Sequence, residues 1–153
     1  MYTTTFHNWS KEEERNFFDR YYEEIIKQVE PKLFAVETIK RLKKENEIYI
    51  ITARFDLNKF NIRETTGEWL TKNGILYDEL ILNAQNKAKI AKQNNIDIFI
   101  DDSIKNCEEI SKEKIKTFMM DSIINKEYKN DKIKRVYSWP HLYQEINNLK
   151  EVN

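Results

Sequence analysis

The stretch Ile96-Asp97-Ile98-Phe99-Ile100-Asp101-Asp102-Ser103 decides how this chain folds. Its apolar run is short and β-branched, which reads as a buried strand. It ends in two adjacent carboxylates, Asp101 and Asp102. Buried strands of open α/β sheets present their ligand-binding groups at the carboxyl end, where loops leave the sheet. Two carboxylates about 4 Å apart repel by about 4 kcal/mol at an effective dielectric of about 20. The pair therefore calls for solvent, a proton or a cation. Mg²⁺ is such a cation, a hard ion that takes oxygen ligands and often completes its shell with phosphate. N-capping of the helix that follows is the competing, purely structural reading of Asp-Asp.

Outward from this strand the pattern alternates. Toward the amino end, 48–52 is another short β-branched run, 61–73 a helix stopped by Gly74, 80–82 a brief strand and 87–94 a short helix. Toward the carboxyl end come a helix at 104–111, a strand at 115–120, an edge strand at 134–137 and a closing helix at 139–149. The Lys/Asn/Asp-rich 125–134 reads as a solvated loop. Strands alternating with helices imply a parallel sheet with helices on both faces, an α/β fold. Ahead of this unit, Ser10-Lys11-Glu12-Glu13 is a capping box that opens a helix to about Val29. Its stripe of Phe17, Phe18, Tyr21, Tyr22, Ile25 and Ile26 reads as core packing. Pro31 ends that pattern, and 34–44 forms a second helix with Val36, Ile39 and Leu42 inward.

Bulk properties narrow the function classes. The 153 residues fit one domain, and 40% hydrophobic content with 12% aromatics supports a packed core. The 26 basic and 26 acidic residues balance, so no global field recruits a nucleic acid polymer or a membrane surface. The single cysteine, Cys107, excludes an internal disulfide, and no signal peptide or long apolar run is present, as expected of a cytoplasmic protein. With two glycines, the chain has little room for a Gly-rich phosphate loop. His7 and His141 stand too far from other ligands to suggest a metal site.

Three positions carry candidate chemistry beside the acidic pair. Thr52 ends the 48–52 strand and is followed by Ala53 and Arg54. A hydroxyl and free backbone N–H groups at a strand end can hold phosphate oxygens, although Thr is also a routine turn residue there. Arg54 reads as a phosphate contact or as a surface charge. Lys87 opens a helix, where the dipole favours anions rather than ammonium groups. That misfit suggests a lysine that neutralises an anion, against the plain alternative of a solvated side chain.

Strand-Thr, then Lys, then strand-Asp-Asp, in that order, resembles the haloacid dehalogenase-like (HAD) phosphohydrolase superfamily, and within it the bacterial nucleotidases related to 5′(3′)-deoxyribonucleotidases. Ile48-Tyr49-Ile50-Ile51-Thr52-Ala53-Arg54 matches the family's second motif, whose Thr bonds the transferred phosphoryl group. Lys87 matches the third motif, whose lysine balances charge on phosphate and nucleophile. Ile98-Phe99-Ile100-Asp101-Asp102 matches the fourth, where the first Asp is the direct Mg²⁺ ligand and the second supports it. Phe34-Ala35-Val36 and Arg135-Val136-Tyr137-Ser138-Trp139 are also similar to family wording. The resemblance implies Mg²⁺-dependent hydrolysis of a small phosphate monoester, such as a nucleoside monophosphate, through an aspartyl-phosphate. It leaves room for a homo-oligomer.

One family element has no match. The first motif, Asp-x-Asp-x-Thr/Val after an N-terminal strand, supplies the nucleophile and general acid/base, and nothing in 1–153 corresponds to it. The resemblance thus implies a single HAD-like domain in which 1–33 is a partial helical cap and 34–153 a core without its first strand. Tyr2-Thr3-Thr4-Thr5-Phe6 would be cap loop. That strand would lie between the strands ending at Thr52 and Asp101. An empty slot leaves unpaired backbone groups at about 1–3 kcal/mol each, against a domain stability of about 5–15 kcal/mol. The slot is then filled, exposed or shared with another chain. The competing functional expectation is an inactive, truncated or degenerate relative that binds phosphate, metal or a protein.

Overall fold

The computed structural model describes residues 8–55 and 60–151. The capping box forms: Glu13 N–H donates to Ser10 Oγ at 3.2 Å, and Ser10 N–H donates to Glu13 Oε2 at 2.8 Å. It opens α1 (Lys11–Gln28). After Pro31 comes α2 (Ala35–Leu42), then β1 (Tyr49–Ile51), α3 (Ile62–Lys72) and β2 (Glu79–Ile81). The remaining elements are α4 (Lys87–Gln93), β3 (Ile98–Asp101), α5 (Ile104–Lys112), β4 (Lys116–Met120), β5 (Ile133–Val136) and α6 (Trp139–Glu151). Gly74 has φ 67° just past α3, a left-handed conformation that glycine adopts without steric cost. Tyr2 to Phe6 lies outside the described residues.

Every strand pairing is parallel, as the strand–helix alternation requires. The strands form two sheets, β1-β2 and β3-β4-β5, with β5 as the expected edge. Alternate side chains of β4 serve opposite faces. Phe118 and Met120 join Leu142 and Ile146 of α6 and Leu42 of α2. Met119 turns the other way, to Cys107 of α5. Phe99 packs with Ala88 and Ala91 of α4 and Ile110 of α5. α3 buries Leu70 against Ile39 of α2 and Leu80 of β2. Helices thus cover both faces of the strands.

β1 and β3 flank a cleft of about 260 Å³ lined by Ile50, Ile51, Ile98, Ile100 and Trp139. No ladder joins these two strands among the described residues. Apolar clusters nevertheless reach across: Ile51 of β1 packs on the Phe99 cluster, and Ile48 on the cluster that also holds Ile98 and Ile100.

The aromatic stripe of α1 does not become core. Among its residues only Ile26 is buried, and Tyr21 and Ile25 are each 38% exposed. The helix packs on α3 rather than on a sheet, with Trp69 Nε1 donating to Val29 O at 2.6 Å. One neighbouring helix cannot cover so broad a stripe. The rings cover one another instead, Phe17 lying 4.9 Å from Trp9 and 5.2 Å from Tyr21.

Candidate functional site

Parallel strands bring their carboxyl ends to one rim, and the residues singled out in the sequence sit there. Thr52 follows β1, its N–H donating to Ile81 O at 2.9 Å and its carbonyl accepting from Ala84 N–H at 3.0 Å. Its hydroxyl oxygen accepts from Arg54 N–H at 3.4 Å, so the hydroxyl hydrogen is available to a ligand. Ala53 is exposed at the rim.

Lys87 and Asp101, fourteen positions apart, meet directly. Lys87 Nζ lies 2.8 Å from Asp101 Oδ2, with the side chains only 17% and 7% exposed. Asn86 caps α4 through Lys89 N–H at 2.9 Å, fixing where Lys87 leaves the helix. The other partners of Asp101 come from the loop and the first turn of α5 that follow it. Ser103 N–H donates to Oδ1 at 2.9 Å and Asn106 Nδ2 to Oδ2 at 3.0 Å. The cap of α5 is the Ser103 hydroxyl, which accepts from Asn106 N–H at 3.4 Å. The acidic pair is therefore released from the capping role that was its structural alternative.

Asp102 is more open. Its carboxylate is 45% exposed and lies 3.5 Å from Lys32 Nζ, in the segment before α2. Its carbonyl accepts from Asn125 Nδ2 at 2.8 Å. Beneath the rim, Cys107 Sγ donates to Asp101 O at 3.6 Å. Burial, with the Asp101 charge second, pushes the Cys107 thiol up to about 12, so it stays protonated and inert as a nucleophile.

Arg54 goes elsewhere. Its guanidinium donates to Thr66 Oγ1 at 3.4 Å and lies 5.6 Å over the Trp69 ring. Burial lowers its pKa and raises that of the neighbouring Tyr22 phenol. The structure thus joins Lys87 to Asp101 and sets Thr52 on the same rim, but directs the Arg54 side chain to α3.

The donor set suits a hard cation. Asp101 accepts three hydrogen bonds on a carboxylate with about four lone-pair sites, so it keeps room for one more positive partner. Asp102 adds an exposed oxygen pair. Among the described residues no three His, Cys, Asp or Glu side chains gather as a metal cage. Such a site suits Mg²⁺, which keeps waters and takes one or two carboxylates plus phosphate.

The family model for 5′ nucleotidase, deoxy (pyrimidine), cytosolic type C proteins matches residues 1–152. This chain belongs to that HAD-like nucleotidase family. A nucleotidase of Clostridium acetobutylicum is 30% identical to it over 141 residues, which cover 92% of this chain and 71% of the relative.

Several residues that hold this rim in place are not apparent from the sequence. Asn125, expected in a solvated loop, is 1% exposed. It donates to Asp102 O and Met120 O, and its Oδ1 accepts from Ser122 N–H at 3.1 Å. Arg135 locks it from β5, donating to Asn125 O at 2.7 Å and to Asp121 Oδ1 at 2.6 Å. A polar composition gave no sign of this, because burial depends on which loop crosses the rim. Asn106, by contrast, sits in the first turn of α5, where an amide side chain can reach back to the preceding strand end.

Proposed function

We propose that this rim is the phosphate- and metal-holding half of a nucleotidase centre acting on a nucleoside monophosphate. The observation that carries the reading is the nearly buried Lys87–Asp101 pair at the carboxyl end of the sheet. A lysine and a carboxylate held there, away from water, exert stronger fields than they would on the surface. The family's nucleotidase character and the named activity of the Clostridium relative support the same substrate class.

The chain's own residues divide the work. The Thr52 hydroxyl and the backbone N–H of Ala53 hold phosphoryl oxygens, while the Arg54 N–H stays on the Thr52 hydroxyl oxygen. Lys87 neutralises charge on the phosphate while keeping Asp101 oriented. Asp101 and Asp102 would hold Mg²⁺, which when bound offsets phosphate charge as a Lewis acid. Asn106, Ser103 and Asn125 fix the two aspartates. A covalent step requires a carboxylate nucleophile, and no residue of 1–153 matches the family motif that provides one. The 153-residue polypeptide alone is therefore expected to bind but to turn over negligibly.

Two measurements test this. Mn²⁺, read by electron paramagnetic resonance as a stand-in for Mg²⁺, should bind the native chain and lose about tenfold or more in affinity in Asp101→Asn, about 1.4 kcal/mol or more. Equal binding by both proteins would overturn the metal assignment. Phosphate release from p-nitrophenyl phosphate and deoxynucleoside monophosphates with Mg²⁺ should stay at background. Robust turnover would overturn the statement that these residues are only half of the centre.

A further inference from the structure

We infer that Lys32 is a further substrate-facing residue of this rim, a role that rests on the metal site proposed above. Asp102 holds its ammonium group in reserve until a divalent cation displaces it, and the freed ammonium then binds the substrate phosphate.

Two lysines meet the acidic pair, and they are held differently. Lys87 is fixed, 2.8 Å from Asp101 Oδ2 and nearly buried with it. Lys32 Nζ stops 3.5 Å from Asp102 Oδ2, at the outer edge of hydrogen-bond distance, and the two side chains are 57% and 45% exposed. Exposed ion pairs add little stability, because water screens them and a long side chain loses freedom in forming them. A divalent cation carries twice the charge and approaches a carboxylate oxygen more closely than an ammonium nitrogen does. It therefore displaces Lys32 and leaves Lys87 in place.

The Lys32 backbone, by contrast, is held on both sides. Val29 O accepts from Trp69 Nε1 at 2.6 Å, and Lys32 O accepts from Ala35 N–H at 2.9 Å. That turn places Phe34 at φ 63°, a left-handed conformation that bulky side chains avoid. Phe34 caps α2 with no side-chain hydrogen bond and stays 51% exposed, so neither capping nor burial accounts for the strain. What the turn does is carry Lys32 to the carboxyl end of β3. Strain kept in this way points to a working role for the group that the turn presents. The four-carbon stem lets the ammonium move while the backbone stays.

Charge decides when it moves. The carboxylates of Asp101 and Asp102 cancel the ammonium groups of Lys87 and Lys32. A divalent cation alone would leave this rim with two positive charges in excess, and a phosphate monoester dianion alone with two negative ones. Together they restore the balance. Lys32 thus opposes the metal while the phosphate is absent and joins the phosphate once both are bound, so each ligand tightens the other.

Mn²⁺ binding to the full 153-residue chain, read by electron paramagnetic resonance with and without inorganic phosphate, is the test. Lys32→Met keeps the apolar stem and removes the charge, and at so exposed a position it should retain native circular dichroism. Without phosphate the variant is expected to bind Mn²⁺ about fivefold more tightly than the native chain. The factor by which phosphate tightens Mn²⁺ is expected to fall about tenfold, and linkage requires the same fall in the effect of Mn²⁺ on phosphate. Lys32→Arg keeps the charge and should retain most of this coupling. Lys150→Met removes a charge beside Glu45, ahead of β1, and should behave as native. Unchanged or weaker Mn²⁺ binding by Lys32→Met overturns the inference, as does undiminished coupling or an equal shift in Lys150→Met. Asp101→Asn separates the two levels. If it binds Mn²⁺ as the native chain does, the metal site and the role of Lys32 fall together; if it weakens binding while Lys32→Met changes nothing, the role of Lys32 falls alone.

Discussion

β1 and β4 are both short, apolar and parallel, yet they live in different environments. β4 lies between β3 and β5, and from Thr117 to Met120 each residue is buried, at 0, 1, 1 and 6% exposure. Among the described residues β1 has one strand neighbour, and none of Tyr49, Ile50 and Ile51 is buried. What separates them is the second hydrogen-bonded neighbour and not hydrophobicity. A strand flanked on one edge leaves apolar surface and backbone groups open on the other, and among the described residues β3 too has a second edge without a ladder.

The sharpest way to break that comparison is to truncate each strand. Phe118→Ala in β4 is expected to cost about 3–5 kcal/mol by urea unfolding, from lost burial plus an unfilled cavity. Ile51→Ala in half-exposed β1 is expected to cost about 1 kcal/mol. Equal losses would mean that β1 is as well packed as β4. A smaller effect is expected where the rim hangs from β5. Arg135→Ala leaves Asn125 and Asp121 without their guanidinium and is expected to cost about 2–3 kcal/mol. Magnesium or manganese affinity should fall with it, since Asn125 steadies Asp102. Next, Ser10→Ala removes the cap of α1 and is expected to cost about 1 kcal/mol, seen as a lower melting temperature with cleft amide exchange unchanged.

The smallest effect at neutral pH belongs to Cys107. Its thiol is pushed up to about 12 in the folded chain, against about 8.5 when unfolded. Folding therefore favours the protonated thiol. The resulting stability is fully present below about pH 8.5 and is lost as pH rises toward 12. Native protein should resist a thiol reagent near pH 8 and react once unfolded. Cys107→Ala should flatten the alkaline loss of stability.

Much of the fold was legible because its signals are local. Ser10 and Glu13 lie within one turn, Gly74 marks the left-handed end of α3, and β-branched runs mark the strands. Thr52, Lys87 and Asp101-Asp102 stood out by their order along the chain. Other features depend on contacts that no local pattern encodes. Arg54 read equally as a phosphate contact or a surface charge, and its place over Trp69 depends on how α3 docks. Asn125 looked solvated because its neighbours in sequence are polar, and Arg135 stood in a family-like stretch with no role assigned to it. The aromatic stripe on α1 promised a core that one neighbouring helix cannot complete.

By itself the sequence determined the parallel α/β pattern, the helix caps and the candidate chemistry at the strand ends, since backbone preference and side-chain type act over a few residues. Tertiary structure decided which charges meet, as with Lys87 and Asp101 across fourteen positions, and which strands pair. Those outcomes depend on the relative placement of distant segments. Burial and pairing there are set by packing against neighbours that adjacent residues do not specify.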